Sequence, residues 1–455
     1  MGILMHSLRG NSALFLAGFF PLLSLFWSSS VRADWNPDAR RDFARLEKRM
    51  ENRKNGEIDG IIGAAAVEMG GLIRTMRFRR NYYRNDVDYE KDGQPLEYLV
   101  TRTGRKVSPL VVYFPGVFGD AKNSGSLMAG RQFRRARDHV ILLPNPWGQN
   151  FQNAHPKFMP GDFNREAKAM LDVINEGIRF IGKDRISEIH FYGESYGGFL
   201  ATATAHAMNS QGFYHVKTVA SVSVPYHIGN AIAVLDGLAD RDENAYFDGG
   251  CALTMNHLFE IVGFVYELIA TPRTSEIYGR HGMACSSAIF SYSGFEQPLF
   301  QLSKSLAARS RSAEWLSKPE SYWERKIRFR VFGEMFFGTS IDKILSKNSA
   351  TLSYWLKKIR GEGTQPLALI ANDDPLNPPP GVGSHKVINS YAPNEILVLS
   401  QGGHLGFRGN NCFKRLLRDQ YRFTAPEDDS DQPDNALDND PQVASDEFTA
   451  DDEES

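Results

Sequence analysis

A serine set between a β-rich run and a helix-forming run, with glycine two places to either side, constrains this 455-residue chain more than any other feature. Residues 189–192 read Ile-His-Phe-Tyr, residues 193–198 read Gly-Glu-Ser-Tyr-Gly-Gly, and residues 199–207 favour helix. When a chain passes from strand to helix with no intervening loop, side chains two places from the apex collide with neighbouring backbone. Gly193 and Gly197 stand at those two places and have no side chain to collide. Ser195, at the apex, is left exposed at the carboxyl end of the strand, followed by a backbone amide with no helical partner.

A hydroxyl presented in this way is a poor nucleophile until an imidazole takes its proton and a carboxylate orients the imidazole. Both residue types follow at later strand ends. Residues 366–371 read as a buried strand opening into Asn372-Asp373-Asp374-Pro375, and residues 396–399 read as another, followed by Gln401-Gly402-Gly403-His404. Ser195, one of the two aspartates and His404 therefore stand in the order nucleophile, acid, base, each after a strand. A fourth piece lies upstream. The β-rich run 110–114 breaks into Pro115-Gly116-Val117-Phe118-Gly119, and the amide of Val117 there can pair with that of Tyr196 against a developing oxyanion.

With these pieces in order, the chain from about residue 82 to 423 resembles the α/β-hydrolase superfamily. The segment Gly402-Gly403-His404-Leu405-Gly406-Phe407, with Asp373-Asp374-Pro375-Leu376 upstream, is similar to the YheT-type esterase branch. The resemblance implies a mainly parallel central sheet flanked by helices, with a helical lid inserted after the sixth strand. It also favours Asp374, directly before Pro375, as the acid, with Asp373 as the alternative. Two departures stand out. Pro115 occupies the place where many members carry histidine, and Gly193-Glu194-Ser195-Tyr196-Gly197 is similar to serine carboxypeptidases and prolyl-peptidase relatives.

Each residue also has a plainer reading. Ser195 serves equally as a simple turn residue, and His404 as a loop histidine capping a helix end; it is the ordered set that argues for chemistry. His190, inside the elbow strand, is expected to face a helix, and His227 stands in a loop with no carboxylate beside it. No H-E-x-x-H, paired C-x-x-C, Walker or G-x-G-x-x-G pattern occurs, so neither a metal nor a cofactor is expected.

Residues 1–33 read as an export signal. Arg9 precedes an apolar run from 13 to 27, and Ser28-Ser29-Ser30-Val31-Arg32-Ala33 supplies small residues at a cleavage point. A periplasmic or secreted protein is expected in preference to an anchored one, the run being shorter than the roughly 20 residues of a spanning helix. Cys251 and Cys285 share one region and are expected either to pair after export or to remain thiols; Cys412 is expected to be buried in the last helix. Lys and Arg number 52 against 54 Asp and Glu, yet thirteen of the acids follow Arg422 and no base does. The body is thus basic, which suits anionic membrane surfaces, and the tail has the composition of a solvated segment.

The organisation expected is a signal over 1–33, a helical arm over 34–80, a first core part over 81–225, a helical lid over 226–363, a second core part over 364–424 and an acidic tail over 425–455. The lid is rich in aromatic residues, including Phe300, Trp323, Phe332, Phe336 and Phe337. The function expected is an exported serine hydrolase for esters with an apolar acyl group, acting on a small-molecule or lipid substrate. Alternatives are a peptidase or amidase on the same triad, or a non-catalytic envelope binding protein. Nothing indicates nucleic-acid binding, and oligomeric state stays open.

Overall fold

The computed structural model describes residues 37–51, 79–83, 95–156, 158–236, 297–310, 328–337, 347–372, 374, 376–377, 396–400, 402, 404–405, 407–408 and 410–421. The expected signal, Cys251, Cys285, Asp373, Trp323 and the acidic tail lie outside the described residues.

Among the described residues eight strands form one sheet in the order β1-β2-β4-β3-β5-β6-β7-β8. They are β1 (Arg79–Tyr83), β2 (Leu96–Thr101), β3 (Ser108–Phe114), β4 (His139–Leu142), β5 (Ile186–Glu194), β6 (Val216–Val222), β7 (Gln365–Ala371) and β8 (Ile396–Leu399). β1 and β2 join antiparallel at one side. From β4 through β3 and onward to β8 every pairing is parallel. Parallel strands need crossovers, and these are the helices that cover both faces. The chain runs from β3 outward to β4 and then back across to β5, so the strand order reverses beside β3. Loops diverge at such a switch point and open a crevice at the carboxyl ends of the strands.

Alternation along β3 builds both cores. Leu110, Val112 and Phe114 belong to one apolar cluster, and Val111 and Tyr113 to the other. Phe114 packs on Phe191 of β5, ring centroids 5.0 Å apart. An aromatic pair of this kind contributes about 0.5–1.5 kcal/mol beyond its buried area.

The first face carries α4 (Phe163–Ile181) and α5 (Tyr196–Gln211), which follow α1 (Pro37–Glu51), α2 (Ser124–Arg135) and α3 (Gln149–Ala154) in the chain. α4 starts where the Asp162 carboxylate accepts the amides of Asn164 and Arg165. α5 is buried through most of its length because its inner face is glycine, alanine and threonine, small enough to lie close on the sheet. On the opposite face α1 rests against α9 (Asn411–Tyr421). Leu46 is buried there, and the guanidinium of Arg415 holds Asp42 at 3.2–3.3 Å. Cys412 is buried in α9, as expected.

Between β6 and β7 lie α6 (Gln297–Ser310), α7 (Phe329–Phe337) and α8 (Leu352–Gly361). The sequence suggested one helix over 341–360; among the described residues a short 3-10 turn, Asn348–Ala350, precedes α8 instead. Thr351 bridges to His227, and the amide of Leu352 donates to the Tyr226 carbonyl, so the chain is held extended until α8 begins. No helix among the described residues is long and apolar enough to cross a membrane. A mainly parallel sheet flanked by helices, with the strand-elbow-helix unit at its centre, is the α/β-hydrolase fold.

Candidate active site

Ser195 sits between β5 and α5 with φ 53° and ψ −130°, a backbone conformation that side chains rarely adopt. Such a conformation costs roughly 1–3 kcal/mol and persists only where the surroundings over-determine it. The surroundings here do so. Its amide donates to the Val222 carbonyl at the end of β6 (2.8 Å). A Cβ on Gly197 would lie 2.2 Å from the Phe114 carbonyl oxygen, and one on Gly193 would lie 2.3 Å from that of Gly197. The two glycines are therefore demanded by backbone on all sides, as the sequence spacing anticipated.

Asp374 and His404 stand at the same edge of the sheet. Asp374 follows β7 and His404 follows β8, both buried, with Nδ1 of His404 at 3.1 and 3.0 Å from the two oxygens of Asp374. A carboxylate only accepts, so this contact assigns the imidazole proton to Nδ1 and leaves the Nε2 lone pair available. The Leu376 amide donates to Asp374 Oδ1 (3.0 Å), fixing the carboxylate from a second side.

The histidine loop is tied to the strand that holds the elbow. The amide of Leu405 donates to Ser223 Oγ (3.0 Å), and the amide of Ser223 donates to the Leu369 carbonyl of β7. Ser223 adjoins Val222, the acceptor for Ser195. A short relay of hydrogen bonds thus runs from Ser195 through β6 to the residue after His404. Asn377 adds a second tie, accepting the Tyr226 amide at 2.8 Å.

The loop after β3 closes the other side. Gly116 passes so near Ser195 that a Cβ there would meet its Cβ at 3.3 Å and its Oγ at 3.8 Å. Asn145 pins the loop, giving its side-chain N–H to the Pro115 carbonyl and its amide to that of Gly119. Val117 follows Gly116 directly, and Tyr196 is the first residue of α5, where helix amides carry partial positive charge.

Two buried carboxylates flank the serine. Glu194, the preceding residue, accepts the hydroxyls of Tyr113 (2.8 Å) and Tyr192 (2.5 Å) and pairs with the guanidinium of Arg408 (2.7 Å). Glu166 of α4 accepts the Tyr196 hydroxyl (2.6 Å), the Trp147 indole N–H (3.1 Å) and the Gly161 amide. Complete burial pushes the Glu166 carboxyl up to about 7, against the pull of these donors. Burial raises Tyr196 as well, and the carboxylate beside it adds to the effect.

Rings extend from this point toward α7. Trp147 meets Tyr196 at 6.3 Å, Phe118 at 6.2 Å and Phe332 at 5.3 Å, and Phe118 meets Phe329 at 6.2 Å. The first turn of α7 is held by Asp236, whose two oxygens accept the amides of Phe329 and Arg330. Trp147, Phe329 and Phe332 are largely buried among themselves, while Phe118 and Phe336 keep partial exposure.

The two rival histidines are engaged by other partners. His190 is buried in mid-strand, its Nδ1 2.8 Å from Thr218 Oγ1, and His227 accepts the amide of Gly229. Among the described residues no cluster of three His, Cys, Asp or Glu side chains could hold a metal ion. Ser223, Asn145, Glu166 and Arg408 were not singled out as site residues from the sequence. Only Glu194 lay inside a visible motif, and nothing local disclosed its partner.

No family model and no curated protein matches this chain. Solved structures do. Est1E from Butyrivibrio proteoclasticus is 13% identical with a TM-score of 0.25, over 32% of this chain and 51% of that one. A highly thermostable carboxyl esterase from Bacillus coagulans is 13% identical with a TM-score of 0.38, over 76% of this chain and 97% of that one. The acylaminoacyl peptidase of Pyrococcus horikoshii is 10% identical with a TM-score of 0.39, over 77% and 42%. This chain therefore spans about half the length of Est1E and less than half of the peptidase.

Proposed function

We propose that the protein is a serine hydrolase that cleaves carboxylic esters through Ser195, His404 and Asp374. The observation that carries this reading is the His404–Asp374 contact in a loop bonded, through Ser223, to the strand that anchors Ser195. Three residues from three strand ends share one edge, and the strained serine is among them.

In this reading Ser195 Oγ attacks the ester carbonyl carbon while His404 Nε2 takes the hydroxyl proton. The amides of Val117 and Tyr196 stabilise the tetrahedral oxyanion, a contribution worth a factor of about 100 to 1,000 per donor. Collapse expels the alcohol with the proton from His404 and leaves an acyl-serine. Water then attacks that acyl group, gives its proton to His404, and the carboxylic acid leaves as Ser195 recovers the proton. Asp374 holds the imidazole and stabilises its charged form throughout.

The aromatic surroundings of Phe118 and Phe336 support an apolar acyl group. The apolar run near the amino terminus supports export to the periplasm or medium. A fluorophosphonate probe is expected to label the wild type and to leave Ser195→Ala unlabelled; labelling retained in that variant overturns the assignment. Turnover of p-nitrophenyl esters of graded chain length, set beside short peptides, separates esterase from peptidase.

A further inference from the structure

Glu194 and Arg408 form an ion pair in the interior, 2% and 5% exposed, and neither has a role in the chemistry above. The pair joins two places that must stay in register. Glu194 immediately precedes Ser195. Arg408 lies four residues after His404, and its amide donates to the Leu405 carbonyl, closing a tight turn that directly follows the histidine (3.0 Å).

The pair is also held from several elements. Tyr192 of β5 and Tyr113 of β3 give their hydroxyls to the Glu194 carboxylate, and Arg408 Nη2 lies 3.3 Å from the Tyr113 hydroxyl. α2 closes over the guanidinium so tightly that a Cβ on Gly125 would stand 2.7 Å from both Nη1 and Nη2. Burying two charges in this way gains little stability over apolar side chains of similar volume. What the arrangement supplies is direction: a planar donor with one allowed approach to a carboxylate fixed by two tyrosines.

We propose that Arg408 is a positioning residue, holding the His404 loop against the strand that ends at Ser195. The proposal rests on the serine-hydrolase reading for its kinetic consequence. A misplacement of about 1 Å between base and nucleophile costs on the order of 100-fold in rate, so the anchor acts on kcat and leaves substrate affinity alone.

The test compares Arg408→Met, Arg408→Lys and the double variant Arg408→Met/Glu194→Met with wild type. It measures kcat and KM on a p-nitrophenyl ester, thermal midpoints, and the downfield proton resonance of His404 Nδ1–H. The double variant replaces the pair by apolar side chains and keeps the test informative should a single variant fail to fold. The expected result is a folded double variant with kcat lowered about 100-fold, KM within about threefold, and a shifted or broadened Nδ1–H resonance. Arg408→Lys is expected to recover part of kcat. A folded double variant with wild-type kcat and an unmoved resonance overturns the proposal. A wild type inert to esters and fluorophosphonate, whose resonance still shifts in the double variant, overturns the hydrolase reading while leaving the anchor in place.

Discussion

His404 addresses both oxygens of Asp374 through one ring nitrogen, at 3.1 and 3.0 Å, within the interior. The contact decides the tautomer, since only a protonated Nδ1 can bond a carboxylate. Asp374→Asn keeps size and fold but offers an N–H as readily as an acceptor, so Nε2 can become the protonated atom and, on the proposed hydrolase reading, Ser195 loses its base. The expected outcome is a fall in kcat of roughly 10,000-fold with the unfolding midpoint nearly unchanged. Steady-state kinetics and a thermal melt on the same preparation check it. The same change at Asp373, the alternative the sequence left open, is expected to leave turnover near wild type.

The elbow makes a sharper demand on backbone. Gly197→Ala would set a methyl against the carbonyl oxygens of Phe114 and Pro115 at 2.2 and 2.3 Å, the first in β3 where it pairs with β5 and the second held by the Asn145 side chain. Overpacking against fixed atoms costs about 1–3 kcal/mol, and this case is expected at or above the upper end. Gly104→Ala serves as the control, because nothing lies within 4 Å of the added atom. A urea titration giving equal midpoints for the two variants contradicts the close approach.

How far the site could be read from residue order depends on how local each requirement is. The elbow was legible because its glycines, serine and strand lie within ten residues and answer one steric condition. The order of Ser195, Asp374 and His404 was legible because each follows an apolar strand. Helix α5, however, begins at Tyr196, not at the run from 199. Gly197 and Gly198 look like helix breakers until β3 and Ser221 are seen pressing on them. Ser223 and Arg408 were invisible for a different reason. Their partners, Leu405 and Glu194, are remote in sequence, and a serine after a strand or an arginine in a loop carries no mark of what it will meet. Asp373 falls outside the described residues, so the choice between the aspartates rests on the contact Asp374 makes.

Glu166 provides a pH signature separate from the triad. Its carboxyl sits at an ordinary value of 4.5 when exposed and is pushed up to about 7 by burial in the fold. Between those values the folded protein keeps the proton while the unfolded chain has released it. Stability therefore falls as pH rises from about 4.5 to about 7 and then levels, the full effect being a few kcal/mol. Glu166→Gln removes the titration while keeping an acceptor for Trp147 and Gly161, and its amide can donate to the Tyr196 oxygen. The slope of unfolding free energy against pH in that window is expected to flatten in the variant. A slope identical to wild type means that Glu166 is ionised in the folded state across the range.

Asp236 tests whether α7 governs what reaches the serine. Its carboxylate caps the first turn of α7 from elsewhere in the chain, accepting the amides of Phe329 and Arg330 at 2.8 and 3.1 Å. Burial raises its carboxyl above the ordinary range even with these donors opposing, so the group is costly to keep and its bonds must offset that cost. Asp236→Ala leaves both amides without the carboxylate and is expected to cost about 1–2 kcal/mol. The loss falls on α7, whose Phe329 and Phe332 pack against Phe118, in the loop after β3, and Trp147. Hydrogen exchange is therefore expected to quicken in residues 329–337 before it does in β5 or β7. On the ester reading, KM for long acyl chains is expected to rise while kcat for an acetyl ester holds. Uniform loss across chain lengths, with exchange quickened throughout the sheet, would show that Asp236 supports the whole fold and has no particular part in the acyl cleft.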